Sequence, residues 1–138
     1  MTKKPGRFRL TLGWVALIVA LAALAINAYR PSRTRVVDLK PGTGPELKSG
    51  ATASFHYVGK LADGRVFDSS KARGVPFEIA IGRGRVIKGW DAGLIGMRVG
   101  GVRRLIVPPE EGYGAKGMPP VIPPGAPLTF EVELIGIK

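Results

Sequence analysis

Polar and apolar residues alternate through much of the chain after residue 50. In LTFEVEL (128–134), Leu128, Phe130, Val132 and Leu134 share one face, and Thr129, Glu131 and Glu133 share the other. A period of two marks a strand with one buried side. ATASFHYVG (51–59) places Ala51, Ala53, Phe55 and Tyr57 together in the same way. Asp63-Gly64 then supplies a tight turn into Arg65-Val66-Phe67, which predicts a hairpin. FEIAI (77–81) and VRRLIV (102–107) read as further strands. The period changes once. Ile87, Trp90, Leu94 and Met97 recur three or four apart, the spacing of one helix face. Gly89, Gly93 and Gly96 make that helix weak by itself, so packing on the sheet must hold it. The pattern predicts an α+β fold: a curved antiparallel sheet with one short helix on its apolar face.

The start of the chain follows neither period. Residues 10–29, LTLGWVALIVALAALAINAY, form an uncharged run with no polar face. As a helix, twenty residues span about 30 Å, the thickness of a bilayer hydrocarbon core. Trp14 and Tyr29 stand towards its two ends, as interfacial aromatics do. The run predicts a membrane-targeting helix behind a basic region, residues 1–9, and before a short polar linker, residues 30–35. Its length favours an uncleaved single-pass anchor over a cleaved signal, for which Ala23-Leu24-Ala25 is the better peptidase site. Lys3, Lys4, Arg7, Arg9 and the terminal amine then keep the N-terminus in the cytoplasm. Residues 36–138 lie outside, on the periplasmic side of a bacterial inner membrane; signal cleavage would instead give a secreted domain.

Composition narrows the chemistry. The chain has 138 residues and a net charge of +11, but residues 1–35 hold seven basic groups and no acid. The remaining residues are only modestly basic, which removes the main support for nucleic-acid binding. There is no cysteine and a single histidine, His56. Thiolate chemistry, disulfides and two-histidine metal motifs are therefore excluded. His56 lies on the opposite strand face from Phe55 and Tyr57, away from the apolar side. Gly82-Arg83-Gly84-Arg85 lacks the Gly-Lys-Ser/Thr of a phosphate loop and reads as a connection before the helix. Glu110-Glu111 are adjacent acids in a Pro/Gly loop and read as solvated. Seven of the twelve prolines fall in residues 108–127, which reads as a long ordered loop between strands. No cofactor or metal is expected.

Seven of the ten aromatic residues lie in the domain, drawn from several separate elements: Phe55, Tyr57, Phe67, Phe77, Trp90, Tyr113 and Phe130. They form either a plain core or a concave aromatic pocket. Here the sequence resembles the FKBP-type peptidyl-prolyl cis-trans isomerases. HYVGKLADGRVFDSS (56–70), PFEIAIGRGRVIKGWDAGLIGM (76–97), VGGVRRLIVPPEEGYGAKG (99–117) and IPPGAPLTFEVELIGI (122–137) carry the resemblance, in the family's order. It implies an antiparallel sheet of five or six strands round one short helix. It implies catalytic roles for Tyr57, Asp68, Ile87 and Tyr113, with the Ile87 backbone N–H as donor to the substrate carbonyl. It implies substrate contacts from Phe67, Phe77, Val86, Trp90, Val121, Ile122 and Phe130, with Trp90 as the floor.

One departure stands out. Met118-Pro119-Pro120 occupies a rim where many members have a His and a Gly around a single Pro. Neither an inserted chaperone domain nor a helical dimerisation domain is present, which implies a monomer. The function so implied is acceleration of X–Pro rotation in extracytoplasmic proteins, with proline-containing polypeptides as substrates and macrolides as inhibitors. The alternative is a module that binds such segments without catalysis. Asp68 has two readings as well: a pocket carboxylate that orders Tyr113 or acts on the bound amide, or a turn residue bonding nearby backbone N–H groups.

Overall fold

The structure, a computed structural model, describes residues 12–28 and 33–138. They divide into two compact units, one holding residues 12–28 and the other residues 33–138. In the first unit, α1 covers Leu12–Ala28, and its described side chains from Val15 to Ala22 are exposed. The sequence predicts a helix over 10–29; Leu10, Thr11 and Tyr29, with the basic residues 1–9, lie outside the described residues. The 17 residues of α1 reach about 26 Å, short of the ~20 residues that span a hydrocarbon core. Among the described residues, no helix is long and apolar enough to cross a membrane.

The second unit is a six-stranded antiparallel sheet. Its strands are β1 (Arg35–Lys40), β2 (Thr52–Leu61), β3 (Val66–Ser69), β4 (Phe77–Ala80), β5 (Val102–Val107) and β6 (Leu128–Ile137). The order is β1-β5-β6-β2-β3, with β4 also pairing β2. β2 is the hub: it pairs β6 from Ala53 to Leu61, while its other edge takes β4 and then β3. The expected alternation holds. Ala53, Phe55, Tyr57, Phe130, Val132 and Leu134 are buried, and Glu131 is exposed.

The helix is shorter than its spacing predicts. It is α3, Lys88–Gly93, and Gly96 at φ +86° prevents its continuation to Met97. Met97 is still buried in the apolar core, and its carbonyl accepts from the Leu47 N–H at 2.7 Å. A second helix, α2 (Ser70–Arg73), is a single turn that the pattern does not signal. The expected strand 77–81 stops at Ala80, although the Ile81 N–H still donates to the Ala51 carbonyl at 3.0 Å.

Two boundaries move. β1 is not signalled because all six of its residues are exposed, so burial imposes no alternation. Its pairing with β5 and the bonds of Thr34 also shorten the expected linker 30–35. The Thr34 N–H and hydroxyl both donate to Glu111 Oε2, at 2.8 and 2.5 Å, so residues 34 and 35 belong to the domain.

The glycines of α3 serve close approach. A Cβ at Gly93 would stand 2.7 Å from Leu105 Cδ2, and one at Gly89 would stand 2.8 Å from Val107 Cγ1. The helix backbone therefore lies directly on β5. In an exposed helix, Gly→Ala stabilises by about 1 kcal/mol. Here the sign reverses: Gly93→Ala is expected to destabilise by about 1–3 kcal/mol, because Leu105 is fully buried and has nowhere to move. Urea midpoints of the Gly93→Ala and Gly89→Ala variants check this, and a raised midpoint in both would refute the packing argument.

Candidate active site

A cavity of about 300 Å³ opens where the helix meets the concave face of the sheet. Tyr57 reaches it from β2, Phe67 and Asp68 from β3, Phe77 from the start of β4, and Phe130 from β6. Val86, Ile87 and Trp90 come from the entry and first turn of α3, and Tyr113 from the loop after the 3-10 turn Pro109–Glu111.

Trp90 is the floor. Its ring meets Tyr57 at 5.1 Å, Phe130 at 5.6 Å, Phe55 at 5.8 Å and Phe77 at 6.1 Å between centroids, all edge to face. Such pairs contribute about 0.5–1.5 kcal/mol each beyond area burial. Phe67 stands edge-on to Phe130 at 5.6 Å and extends the wall. Phe55 is fully buried behind Trp90, so the aromatic set divides into one ring for the core and the rest for the cavity.

The polar side of the cavity is one closed network. The Tyr57 hydroxyl donates to Asp68 Oδ2 at 2.5 Å. Arg73 Nη2 donates to that hydroxyl at 3.1 Å, and Nη1 donates to Asp68 Oδ1. The Arg73 guanidinium carbon also lies 5.9 Å from the centroid of the Tyr57 ring. Local sequence explains how Arg73 arrives there. Ser69 caps α2, its hydroxyl accepting from the Ala72 N–H at 3.1 Å, and Gly74 ends the turn at φ +70°. One helical turn after Asp68 thus carries Arg73 back over it. Ser70 is buried and fixes the same strand pair, its hydroxyl accepting from the Tyr57 N–H at 2.7 Å. The turn-capping role therefore belongs to Ser69, and Asp68 holds Tyr57 where Tyr113 was expected.

Burial pushes the Asp68 carboxyl up, but the hydrogen bonds from Tyr57 and Arg73 outweigh it, and the net shift is downward. Burial raises the Tyr57 hydroxyl, helped by its bond to Asp68 and opposed by Arg73. Burial, with the Asp68 charge, raises Tyr113 also. The cavity thus presents a fixed carboxylate and two neutral phenols across the neutral range.

The loop before α3 is held from the helix side. Asp91 accepts from the Gly82 N–H at 2.7 Å and from the Gly84 N–H at 2.8 Å. Ile87 sits at the helix cap, its carbonyl accepting from Trp90 and Asp91 N–H groups. Its own N–H has no protein partner among the described residues and lies beside an apolar cavity. A donor so placed is ready for a carbonyl of a bound chain.

Nine of the eleven residues implied from sequence line the cavity; Val121 and Ile122 do not. Ile122 is fully buried in the core, its backbone bridged to Met118, and Val121 beside it is about half exposed. Three functional residues escaped the reading: Arg73, Asp91 and Arg85, which borders the cavity. The Asp-Ser-Ser run followed by a Gly four residues later is a local cue to a capped turn, but it does not report the contact of Arg73 with Asp68. His56 faces away as expected, its Nδ1 lying 3.0 Å from Ser70 Oγ. Among the described residues no three His, Asp or Glu side chains converge on a common point.

The geometry has known counterparts. The sequence profile described as "FKBP-type peptidyl-prolyl cis-trans isomerase" matches residues 44–135. The "FK506-binding protein 1A" of Emericella nidulans is 55% identical over 104 residues, covering 75% of this chain and 96% of that protein. The "FK506-binding protein 4" of Chaetomium thermophilum is 52% identical over 101 residues, 73% of this chain, which spans only 20% of that longer protein. The crystal structure of AtFKBP13 superposes with a TM-score of 0.73 at 44% identity, over 78% of this chain and 95% of that one. The sheet wrapped on a short helix, the Trp90 floor and the matched segment together place this chain in the FKBP-type peptidyl-prolyl cis-trans isomerase family.

Proposed function

We propose that the chain accelerates X–Pro rotation in polypeptides folding outside the cytoplasm, working from a membrane anchor. The observation that carries the catalytic part is the aromatic cavity over Trp90, with the unpartnered Ile87 N–H at its edge. Rotation about an X–Pro bond faces the loss of amide resonance, about 18–20 kcal/mol, and takes tens to hundreds of seconds unaided. It requires no nucleophile and no proton transfer. The planar amide is strongly polarised and the twisted one less so, so an apolar cavity favours the twisted form relative to water. The prolyl ring packs on Trp90, and the Ile87 N–H holds a backbone carbonyl while the bond turns. Asp68 and Arg73 fix the Tyr57 ring, so the wall is already formed when substrate enters.

The same walls suit a macrolide, which we propose as a competitor of peptide, since relatives in this family are named for binding FK506. A module that binds without catalysis would occupy the cavity equally well but leave relaxation unchanged. Relaxation of a Leu-Pro peptide from cis-enriched solvent separates the two. Tyr57→Phe and Asp68→Ala are each expected to lower kcat/KM per folded molecule by about three- to tenfold. The double variant should fall little further, because the two groups act as one network. A lowered denaturation midpoint with unchanged kcat/KM would make Asp68 purely structural.

The placement rests on the uncharged run 10–29 and the basic residues before it. The chain acts as a monomer whose tether holds it near emerging polypeptides. Fractionated cells are expected to retain it in the membrane pellet, released by detergent and not by salt, with residues 36–138 open to external protease. A soluble product beginning near Ile26 or Tyr29 would establish signal cleavage instead.

A further inference from the structure

Beside the aromatic cavity lies a second depression of about 320 Å³, between β4 and the loop that leads to α3. Thr52, Glu78 and Ala80 line one side, and Arg83 and Arg85 the other. Arg85 borders both depressions, so they are neighbours on the surface with this side chain between them. The open edge of β4, which pairs only with β2, flanks the second one.

Its charge is one-sided. The carboxylate of Glu78 is engaged by Lys138, at 2.7 Å. Arg83 donates through Nε to the Gly50 carbonyl at 3.0 Å, which orients the guanidinium and leaves its terminal nitrogens uncommitted to any acid. Among the described residues neither Arg83 nor Arg85 has a carboxylate within ion-pair distance. Residues 1–32 contain no Asp or Glu, so no side chain outside the described residues supplies one. Two exposed guanidiniums thus border a groove that adjoins the reaction cavity at Arg85.

We propose that this groove is a subsite for an acidic side chain of the polypeptide substrate, with Arg83 and Arg85 as its specificity-determining residues. It rests on the isomerase reading of the neighbouring cavity. An extended chain advances about 3.3 Å per residue, with successive side chains on opposite sides. A peptide with its proline over Trp90 therefore passes Arg85 within a few residues and presents alternate side chains to the groove. The guanidinium geometry suits a carboxylate, which it meets through paired N–H donors. Both partners remain solvated, so the gain is modest and salt-sensitive.

The test uses blocked peptides, acetylated and amidated, each with one X–Pro bond and a Glu or a Gln placed two, three or four residues before or after the proline. At one or two of these positions Glu is expected to raise kcat/KM over Gln by about two- to fivefold at low salt, through KM, with the difference gone at high salt. Arg83→Gln and Arg85→Gln should each lower that ratio, the two together should bring it to about one, and Arg83→Glu with Arg85→Glu should favour a Lys peptide at the same position. A Glu-to-Gln ratio of one at every position in the wild-type chain overturns the subsite, as does a ratio that survives the double Arg→Gln variant. Acceleration of the Gln peptides reads the isomerase activity separately, so its absence would refute the activity and not be mistaken for loss of the groove.

Discussion

The seating of α3 on the sheet is the constraint on which everything else depends. Its backbone lies against β5 because Gly89 and Gly93 carry no side chain there. That close approach lowers Trp90 into contact with four rings from β2, β4 and β6. The same indole is thus a core residue beneath and a floor above. Fully buried side chains lie on both sides of this contact, Phe55, Leu105 and Leu134 on the sheet and Leu94 at the end of α3, so substitutions that loosen the helix disturb the core and the cavity together.

A cavity that is mostly aromatic has little means of holding its shape by hydrogen bonding. The Tyr57–Asp68–Arg73 network supplies that on one side, and Asp91 supplies it on the other by pinning the loop through Gly82 and Gly84. Both carboxylates bond protein donors, and neither is needed for proton transfer. The charge they carry is spent on geometry, which suits a reaction whose barrier is lost resonance.

Much of this was legible in the residues. The alternation of β6 and of β2 identified the buried face, because burial on one side leaves a period of two, whereas the aromatic positions alone left core and pocket open and only the family resemblance assigned them to walls. β1 was not legible, since both its faces are exposed and it carries no such period. Arg73 was missed because its role depends on a one-turn helix that folds it back over Asp68, a contact no spacing rule reports. Val121 and Ile122 were assigned to the cavity through resemblance, and neither lines it: Ile122 is fully buried and Val121 is about half exposed. The apolar run 10–29 remains a compositional signal, of which the described helix covers Leu12–Ala28.

The central claim is catalysis by shape and environment, with no proton in flight. Asp68 is held below its ordinary range and Tyr57 and Tyr113 above theirs, so none of these groups titrates near neutrality. The direct measurement is the pH profile of kcat/KM for one neutral X–Pro peptide, taken with its solvent deuterium isotope effect. The account predicts a flat profile from about pH 5.5 to 9 and an isotope effect close to one. A bell-shaped profile, or an isotope effect of about two or more, would mean that a proton moves in the transition state and would contradict it.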